Sequence, residues 1–163
     1  MFKQILAAII VLASACSFAL SADEFFEEPI GKLRLGLSEV EVKKAIACAR
    51  KRGPERLWGA DGAYHQKWVY ADCGITLGMV SEKKGAPKEV ESITVVSPSD
   101  LATKSGIRIG STEHEVRKAY ASHWNKEDST PSKTFVAGSV YGGLMFDFET
   151  GKVSRIFLGA AAE

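Results

Sequence analysis

The feature that most constrains the fold of this chain is an ungapped internal repeat. The stretch LRLGLSEVEVKKA at residues 33–45 returns as IRIGSTEHEVRKA at residues 107–119. Further downstream, GITL and VESI after the first copy resemble GLMF and VSRI after the second. The repeated positions are glycines, hydroxyl residues and apolar residues rather than nucleophiles, bases or metal ligands. The repeat therefore specifies a scaffold and not a chemistry.

Both copies carry the signature of a helix N-terminus. Ser38 is followed three residues later by Glu41, and Thr112 is followed by Glu115. At this spacing the hydroxyl accepts a hydrogen bond from a backbone N–H of the first turn, and the carboxylate accepts one in return. We expect these four residues to be structural helix caps.

The hydrophobic period changes behind each predicted helix. Apolar residues at helical spacing predict helices that end near Gly53 and around Asn125. Alternating patterns then predict strands at residues 64–70, 75–79, 90–96, 134–137, 144–148 and 153–158. Helix first and strands afterwards predicts an α+β fold class. It would consist of two tandem repeats, each a helical segment followed by an antiparallel β-meander, with the helices packed on one sheet face.

Turn residues and composition divide the chain as follows: a signal peptide at 1–22, an N-terminal arm at 23–30, repeat 1 at 31–97, a linker at 98–105, repeat 2 at 106–159 and a C-terminal tail at 160–163.

The N-terminus has the layout of a secretory signal. Residues 1–22 carry one basic residue, Lys3, then an apolar run and then small residues, and we expect cleavage after Ala22. This predicts a periplasmic or secreted protein, with no transmembrane segment in the mature chain. A lipid anchor at Cys16 is the less favoured alternative, because Ala13 stands where a large aliphatic residue usually precedes the modified cysteine.

The charge balance excludes some classes of partner. The chain has 21 Lys and Arg residues against 20 Asp and Glu residues. Removal of residues 1–22 takes away Lys3 and no acid, so the mature chain is formally neutral. Neutrality argues against binding to nucleic acid or to an anionic membrane surface, since both need a concentrated positive field.

Two cysteines, Cys48 and Cys73, remain in the mature chain. An even count in an exported protein favours a disulfide between them. The alternative is a pair of buried free thiols. Their spacing does not suit a metal site, which usually brings two close pairs of ligands.

The remaining chemistry-bearing residues indicate no catalytic centre. Of the three histidines, His114 and His123 are nine residues apart, and His65 alternates with aromatic residues and is predicted to face solvent. We therefore predict no metal site, no cofactor and no enzymatic activity.

An aromatic cluster with interleaved charges is the strongest candidate for a function. Aromatic residues and arginine dominate protein interfaces, because they remove large areas from water at low conformational cost. The alternative is that some of the rings belong to the core. The core is favoured for Trp68, and the interface for Trp58 and Tyr64. The candidate partner-binding residues are Trp58, Tyr64, Trp68, Tyr70, Arg56 and Asp61.

The doubled helix-start motif resembles that of a known group of exported proteins. The residues that carry it are Gly36, Ser38, Glu41 and Val42, and Gly110, Thr112, Glu115 and Val116. With the strands that follow, over roughly residues 31–158, the chain resembles the β-lactamase-inhibitor-protein-like fold and the BamE-like outer-membrane assembly lipoproteins. The resemblance implies a fold and an exported location rather than an activity. In the inhibitor family a helix cysteine pairs with a cysteine of the following strand region, which Cys48 and Cys73 match.

These observations predict an exported, non-enzymatic protein-binding module, of which an inhibitor of a hydrolase is one version. Its partner would be another exported or envelope protein. An envelope-assembly or structural lipoprotein is the first alternative. A binder of a small ligand or a cell-wall fragment is the second.

Overall fold

The computed structural model describes Phe25 and residues 27–161. Within this part of the chain two α-helices form, α1 (Glu39–Ala45) and α2 (Glu113–Ala119). The same part contains nine strands: β1 (Lys51–Arg52), β2 (Arg56–Leu57), β3 (Tyr64–Tyr70), β4 (Ile75–Ser81), β5 (Glu89–Val96), β6 (Trp124–Thr130), β7 (Thr134–Ser139), β8 (Gly142–Glu149) and β9 (Lys152–Gly159).

All the described strands join one antiparallel sheet. Their order is β1-β3-β4-β5-β9-β8-β7-β6, and β2 lies beside β1 on the outer edge of β3. Apart from β1, strands that are consecutive in sequence therefore pair with each other within each of two sets, β1 to β5 and β6 to β9. The two sets of strands meet at one central joint, where β5 pairs with β9.

The predicted α+β fold class of two helix-plus-meander repeats is wrong. The described residues form a mostly β structure with a single continuous sheet, and its helices are only seven residues long. The physical reason is the pairing of β5 with β9. This pairing satisfies the backbone edge that each set of strands would otherwise expose, so the two sets become one sheet.

The central joint has a symmetric register. Ile93 lies opposite Leu158 and Val95 lies opposite Ile156, with Thr94 opposite Phe157 between them. In the sequence similarity between VESI and VSRI, Ile93 corresponds to Ile156. The strands that carry equivalent residues thus run past each other in opposite directions about the Thr94–Phe157 pair.

Both copies of the repeated motif make the same local contacts. Ser38 and Glu41 form a complete capping box at the start of α1, as Thr112 and Glu115 do at the start of α2. Each cap also pairs with the sheet, Ser38 with Glu89 of β5 and Thr112 with the first residue of β9. The glycine-containing turn and cap therefore fasten each helix to the start of a central strand.

Both helices are much shorter than the sequence predicts. The C-cap of α1, Ile46, has extended backbone angles (φ −119°, ψ 117°) and a buried side chain. Two residues later Cys48 is held by Cys73, which follows β3, with Cα atoms 6.2 Å apart. Tertiary attachment to the sheet thus ends the helix where sequence propensity alone would continue it. The same bond confirms the predicted disulfide.

The core lies between the helices and one face of the sheet. Val42 of α1 and Val116 of α2 are fully buried, and each burial stabilises the fold by about 1.5–3 kcal/mol. They belong to one cluster with the inward-facing residues of the strands, which include Trp68, Leu77, Met79, Ile93, Phe135, Leu144, Phe146, Ile156 and Leu158.

Three strands were not predicted, and some predictions fall outside the described residues. Strands β1 and β2 are two residues each, and β6 is a polar segment without alternation. The predicted signal peptide at 1–22 and Cys16 lie outside the residues that the structure describes. Among those it does describe, none forms a helix with the length and apolar character needed to cross a membrane.

Candidate functional site

The helices leave one face of the sheet uncovered, and we call it the open face. Along β3, Trp68 and Tyr70 point into the core, so Lys67, the residue immediately before Trp68, points to the open face. The register continues this face across the sheet, with Lys67 opposite Gly78 and Thr94 opposite Phe157. Paired residues on neighbouring antiparallel strands share a face of the sheet.

A groove of about 720 Å³ lies on the open face. We call it the open-face groove. Its floor has small side chains, which leave room above the sheet: Thr76, Gly78, Ser92 and Thr94. Its walls are larger, with Trp58 and Arg56 towards β2 and Phe157 and Arg155 on β9. The remaining lining residues are Gly53, Pro54, His65, Gln66, Lys67 and Glu91.

Trp58 is held in place at the rim of the groove. It lies in the tight connection between β2 and β3, where its backbone N–H donates to the carbonyl of Ala63 and its carbonyl accepts from Gly62. Its ring stacks on the imidazole of His65, with centroids 3.8 Å apart and planes 16° from parallel. The side chain is nevertheless 38% exposed. One aromatic surface is thus fixed by the protein while part of the ring remains open to a partner.

His65 is the centre of a hydrogen-bonded clamp beneath Trp58. Its Nε2 lies 2.9 Å from Asp61 Oδ2, and its Nδ1 lies 2.9 Å from Glu91 Oε1. A carboxylate can only accept, so both nitrogens donate when the ring is doubly protonated. Desolvation by burial lowers the pKa of His65, but the hydrogen bonds and charges of Glu91 and Asp61 outweigh it, and the net effect raises the pKa. The expectation that His65 faces solvent is wrong, since Trp58 covers it and only 7% of it is exposed.

The clamp has a direct chemical consequence. In the protonated form both ring nitrogens of His65 are engaged by carboxylates, so neither is open to take a proton from a substrate. The carboxylates are engaged in the same way. Asp61 accepts from the backbone N–H of Ala63 and from His65, and this holds the pKa of Asp61 below its usual range despite some opposing desolvation.

Gly78 makes space for Glu91 to reach across the sheet. A β-bulge between β4 and β5 falls at Gly78, which pairs with Ser92. A Cβ atom at Gly78 would overlap Ser92 Oγ and would lie 3.1 Å from Glu91 Oε1. Because glycine has no side chain, the Glu91 carboxylate can pass over β4, the strand between β5 and β3, and reach His65 on β3.

A second set of contacts fixes the segment just before β2, on the same side of the groove as Trp58. Lys88 is buried, and its ammonium pairs with Glu55, just before β2. Glu55 also accepts hydrogen bonds from the backbone N–H of Gly85 at 3.0 and 3.1 Å. The hydrogen bond from Lys88, followed by that from Gly85, lowers the pKa of Glu55. The segment from Glu55 to His65, which carries Trp58, is thus fixed at both of its ends.

The structure divides the predicted aromatic cluster between the two faces of the sheet. Trp68 and Tyr70 are 0% and 2% exposed and lie in the core, so they are not available to a partner. Trp68 is covered by the guanidinium groups of Arg50 and Arg52, 4.0 and 4.5 Å from its ring centroid. Tyr64 is half-buried, and the alternation along β3 places it on the same face of the sheet as Trp68.

On the groove side the structure brings together Arg56, Trp58 and Asp61. Arg155 and Phe157 were missed as site residues. Their signal was their alternation with Ile156 and Leu158, which face the core.

The described residues contain no group of three or more His, Cys, Asp or Glu side chains arranged to hold a metal ion. Comparisons of the chain with models of known protein families, with curated proteins and with solved structures give no match.

Proposed function

We propose that this protein is an exported, non-enzymatic protein-binding module and that the open-face groove is its binding site. The observation that carries the proposal is the position of Trp58, which is partly exposed at the rim of a groove and immobilised by His65. The alternative of an enzyme finds no support in the clamp, because its histidine and its carboxylates already bind each other.

A rigid tryptophan at the edge of a groove suits protein recognition. Tryptophan is among the residues that contribute most to binding energy at interfaces, especially next to a pocket that the partner fills. Ordering a mobile side chain on binding costs about 0.5–1.5 kcal/mol. Stacking on His65 removes much of this cost before the partner arrives. An inhibitor of a hydrolase is one version of such a module.

An exported location is supported by the disulfide. Cys48 and Cys73 are bonded in the structure, and such bonds persist in oxidising compartments such as the periplasm or the extracellular space. We therefore propose that the protein works there, with an exported or envelope protein as its partner.

A small-ligand or cell-wall-fragment binder is the second candidate, and one observation favours it. The groove volume of about 720 Å³ falls within the range of about 300–1,000 Å³ that is typical of small-ligand sites.

The test is capture of a partner from an envelope extract by three forms of the purified protein. The parent is compared with Trp58→Ala and with Trp124→Ala. Trp124 is a matched control because it is also 38% exposed, but it lies opposite the core residue Ala137 and so away from the open face. Circular dichroism and urea unfolding check that all three forms are folded.

We expect one protein to be captured by the parent and by Trp124→Ala but not by Trp58→Ala. Equal capture by all three forms would exclude the open-face groove as the site. If no protein is captured, and a cell-wall digest changes the fluorescence of the parent but not of Trp58→Ala, the small-ligand candidate replaces the protein-binding one.

A further inference from the structure

We propose that the open-face groove takes an extended acidic segment of the partner protein, whose carboxylates are bound by Arg56 and Lys67. This inference rests on the proposed function and specifies the chemistry of the partner.

The acidic groups in and beside the groove are all engaged. Asp61 and Glu91 both bind His65. Asp147, next to the β9 wall, pairs with Arg155 at 2.6 Å and also accepts from Thr134. Each of these acids thus has a cationic partner, and Arg155 is satisfied as well. Asp61 and Glu91 share the single charge of His65, however, so this clamp keeps one net negative charge when His65 is protonated.

Two cationic side chains of the groove have no anionic partner within the part of the chain that the structure describes. Arg56 on β2 and Lys67 on β3 are exposed and line the groove. Neither side chain makes a hydrogen bond or an ion pair with any residue among Phe25 and 27–161. These two unpaired positive charges outnumber the one net negative charge of the His65 clamp, so charge complementarity favours an anionic occupant.

The two cations are placed to act together. Arg56 is directly opposite His65 in the register of β2 and β3, and Lys67 is the next residue of β3 on the same face. Diagonal neighbours on antiparallel strands are about 7–8 Å apart at the backbone, within reach of long side chains. One carboxylate between them, or two on one segment, would contact both Arg56 and Lys67, and Arg56 offers the planar fork that binds carboxylates in a bidentate manner.

The dimensions of the groove favour an extended segment. It crosses the sheet from β3 over β4 and β5 to β9, which is three strand spacings, or about 14 Å. An extended chain rises about 3.3 Å per residue, so roughly four residues of a partner fit across the floor. Trp58 at one end and Phe157 at the other provide apolar surfaces for large side chains of the same segment.

The test is selection from a library of random heptapeptides displayed on phage, with four forms of the purified protein. The parent is compared with Trp58→Ala, with the double variant Arg56→Glu/Lys67→Glu and with a matched control, Lys43→Glu/Lys118→Glu. Lys43 and Lys118 are exposed on α1 and α2, which cover the other face of the sheet, so the control makes the same change in net charge away from the groove. If the groove reversal unfolds the protein, Arg56→Gln/Lys67→Gln takes its place.

We expect the parent and the Lys43/Lys118 control to enrich peptides that combine Asp or Glu with an aromatic or large aliphatic residue. The groove reversal should lose them and enrich Lys and Arg instead. A synthetic version of an enriched acidic peptide should bind the groove reversal at least about tenfold more weakly, the size expected for losing one charged hydrogen bond.

The outcomes separate this inference from the proposed function. Peptides that need Trp58 but show no acidic excess, or acidic peptides that bind the groove reversal as well as the parent, would overturn the inference and leave a binding groove. No enrichment by the parent over Trp58→Ala would overturn both.

Discussion

Replacement of His65 by glutamine should remove a pH-dependent part of the stability of this protein. His65 is buried between Asp61 and Glu91, and its pKa is raised above the ordinary value of 6.5. Below pH 6.5 the folded and the unfolded chain both carry the proton, so the stabilisation is complete. As the pH rises above 6.5 the unfolded chain loses its proton first, and the stabilisation decreases. It is lost when the pH has passed the raised pKa of the folded state.

The size of the effect follows from the geometry. One proton distinguishes the two states, so the free energy of unfolding falls by at most about 1.4 kcal/mol per pH unit in this window. At pH 5.5 the free energy of unfolding of the wild type should be about 2 kcal/mol higher than that of His65→Gln, because hydrogen bonds to charged groups contribute about 1.5–3 kcal/mol each. The bond to Asp61 counts for less, since that side chain is half exposed and water competes for it.

Urea unfolding at several pH values between 5.5 and 8.5 measures this effect. The difference between the wild type and His65→Gln should shrink as the pH rises. His114→Gln serves as the control, because His114 is exposed on α2 and its replacement leaves the clamp intact. A difference that stays constant with pH, or grows towards pH 8.5, would refute the assignment of His65 as the protonated centre of the clamp.

Three further predictions concern other parts of the fold. Gly78→Ala should lower the free energy of unfolding by about 1–3 kcal/mol, because the new Cβ overlaps Ser92, and it should flatten the same pH dependence by displacing Glu91. In the same urea series Gly53→Ala should do neither, because its Cβ would meet nothing closer than 3.4 Å. Cys48→Ala/Cys73→Ala should lower the free energy of unfolding by roughly 3 kcal/mol, since the bond closes a loop with a separation of 25 residues, and an unchanged urea midpoint would contradict this. Thr112→Ala should lower the free energy of unfolding by about 1 kcal/mol, because it removes the acceptor for Glu115 N–H, whereas Thr112→Asn should keep most of that stability. Equal losses for the two variants in thermal unfolding would count against the cap.

Strong local signals made part of the fold predictable from sequence. The strands at 64–70, 75–79, 90–96, 134–137, 144–148 and 153–158 correspond to β3, β4, β5, β7, β8 and β9. Alternation over a half-buried sheet is a direct consequence of backbone geometry, so it survives in the sequence. The disulfide was predictable because only two cysteines follow the proposed signal peptide.

The long-range arrangement was not predictable in the same way. Pairing of β5 with β9 depends on two edges that are far apart in sequence, and no local pattern records which edges meet. The strands β1 and β2 exist only because β3 offers them an edge. The lengths of the helices were overestimated because the attachment of Ile46 and Cys48 to the rest of the fold is a tertiary effect.

The site was partly visible in the sequence. Trp58, Arg56 and Asp61 were candidates because aromatic and charged residues cluster near a turn. The contribution of His65 depends on Glu91, which is 26 residues away and reaches it only over Gly78. Arg155 and Phe157 join the groove only through the pairing of β5 with β9.

The symmetric register at the central joint has a consequence for truncated forms of the chain. A polypeptide that stopped after β5 would leave the hydrogen-bonding groups of Ile93 and Val95 without a neighbour, on a strand rich in β-branched residues. Because Ile93 and Val95 of a second truncated copy would take the places of Ile156 and Leu158 respectively, the two copies could pair in the native register. Cleavage or premature termination between β5 and β9 would therefore turn an intramolecular joint into a site of self-association, with aggregation as the competing outcome.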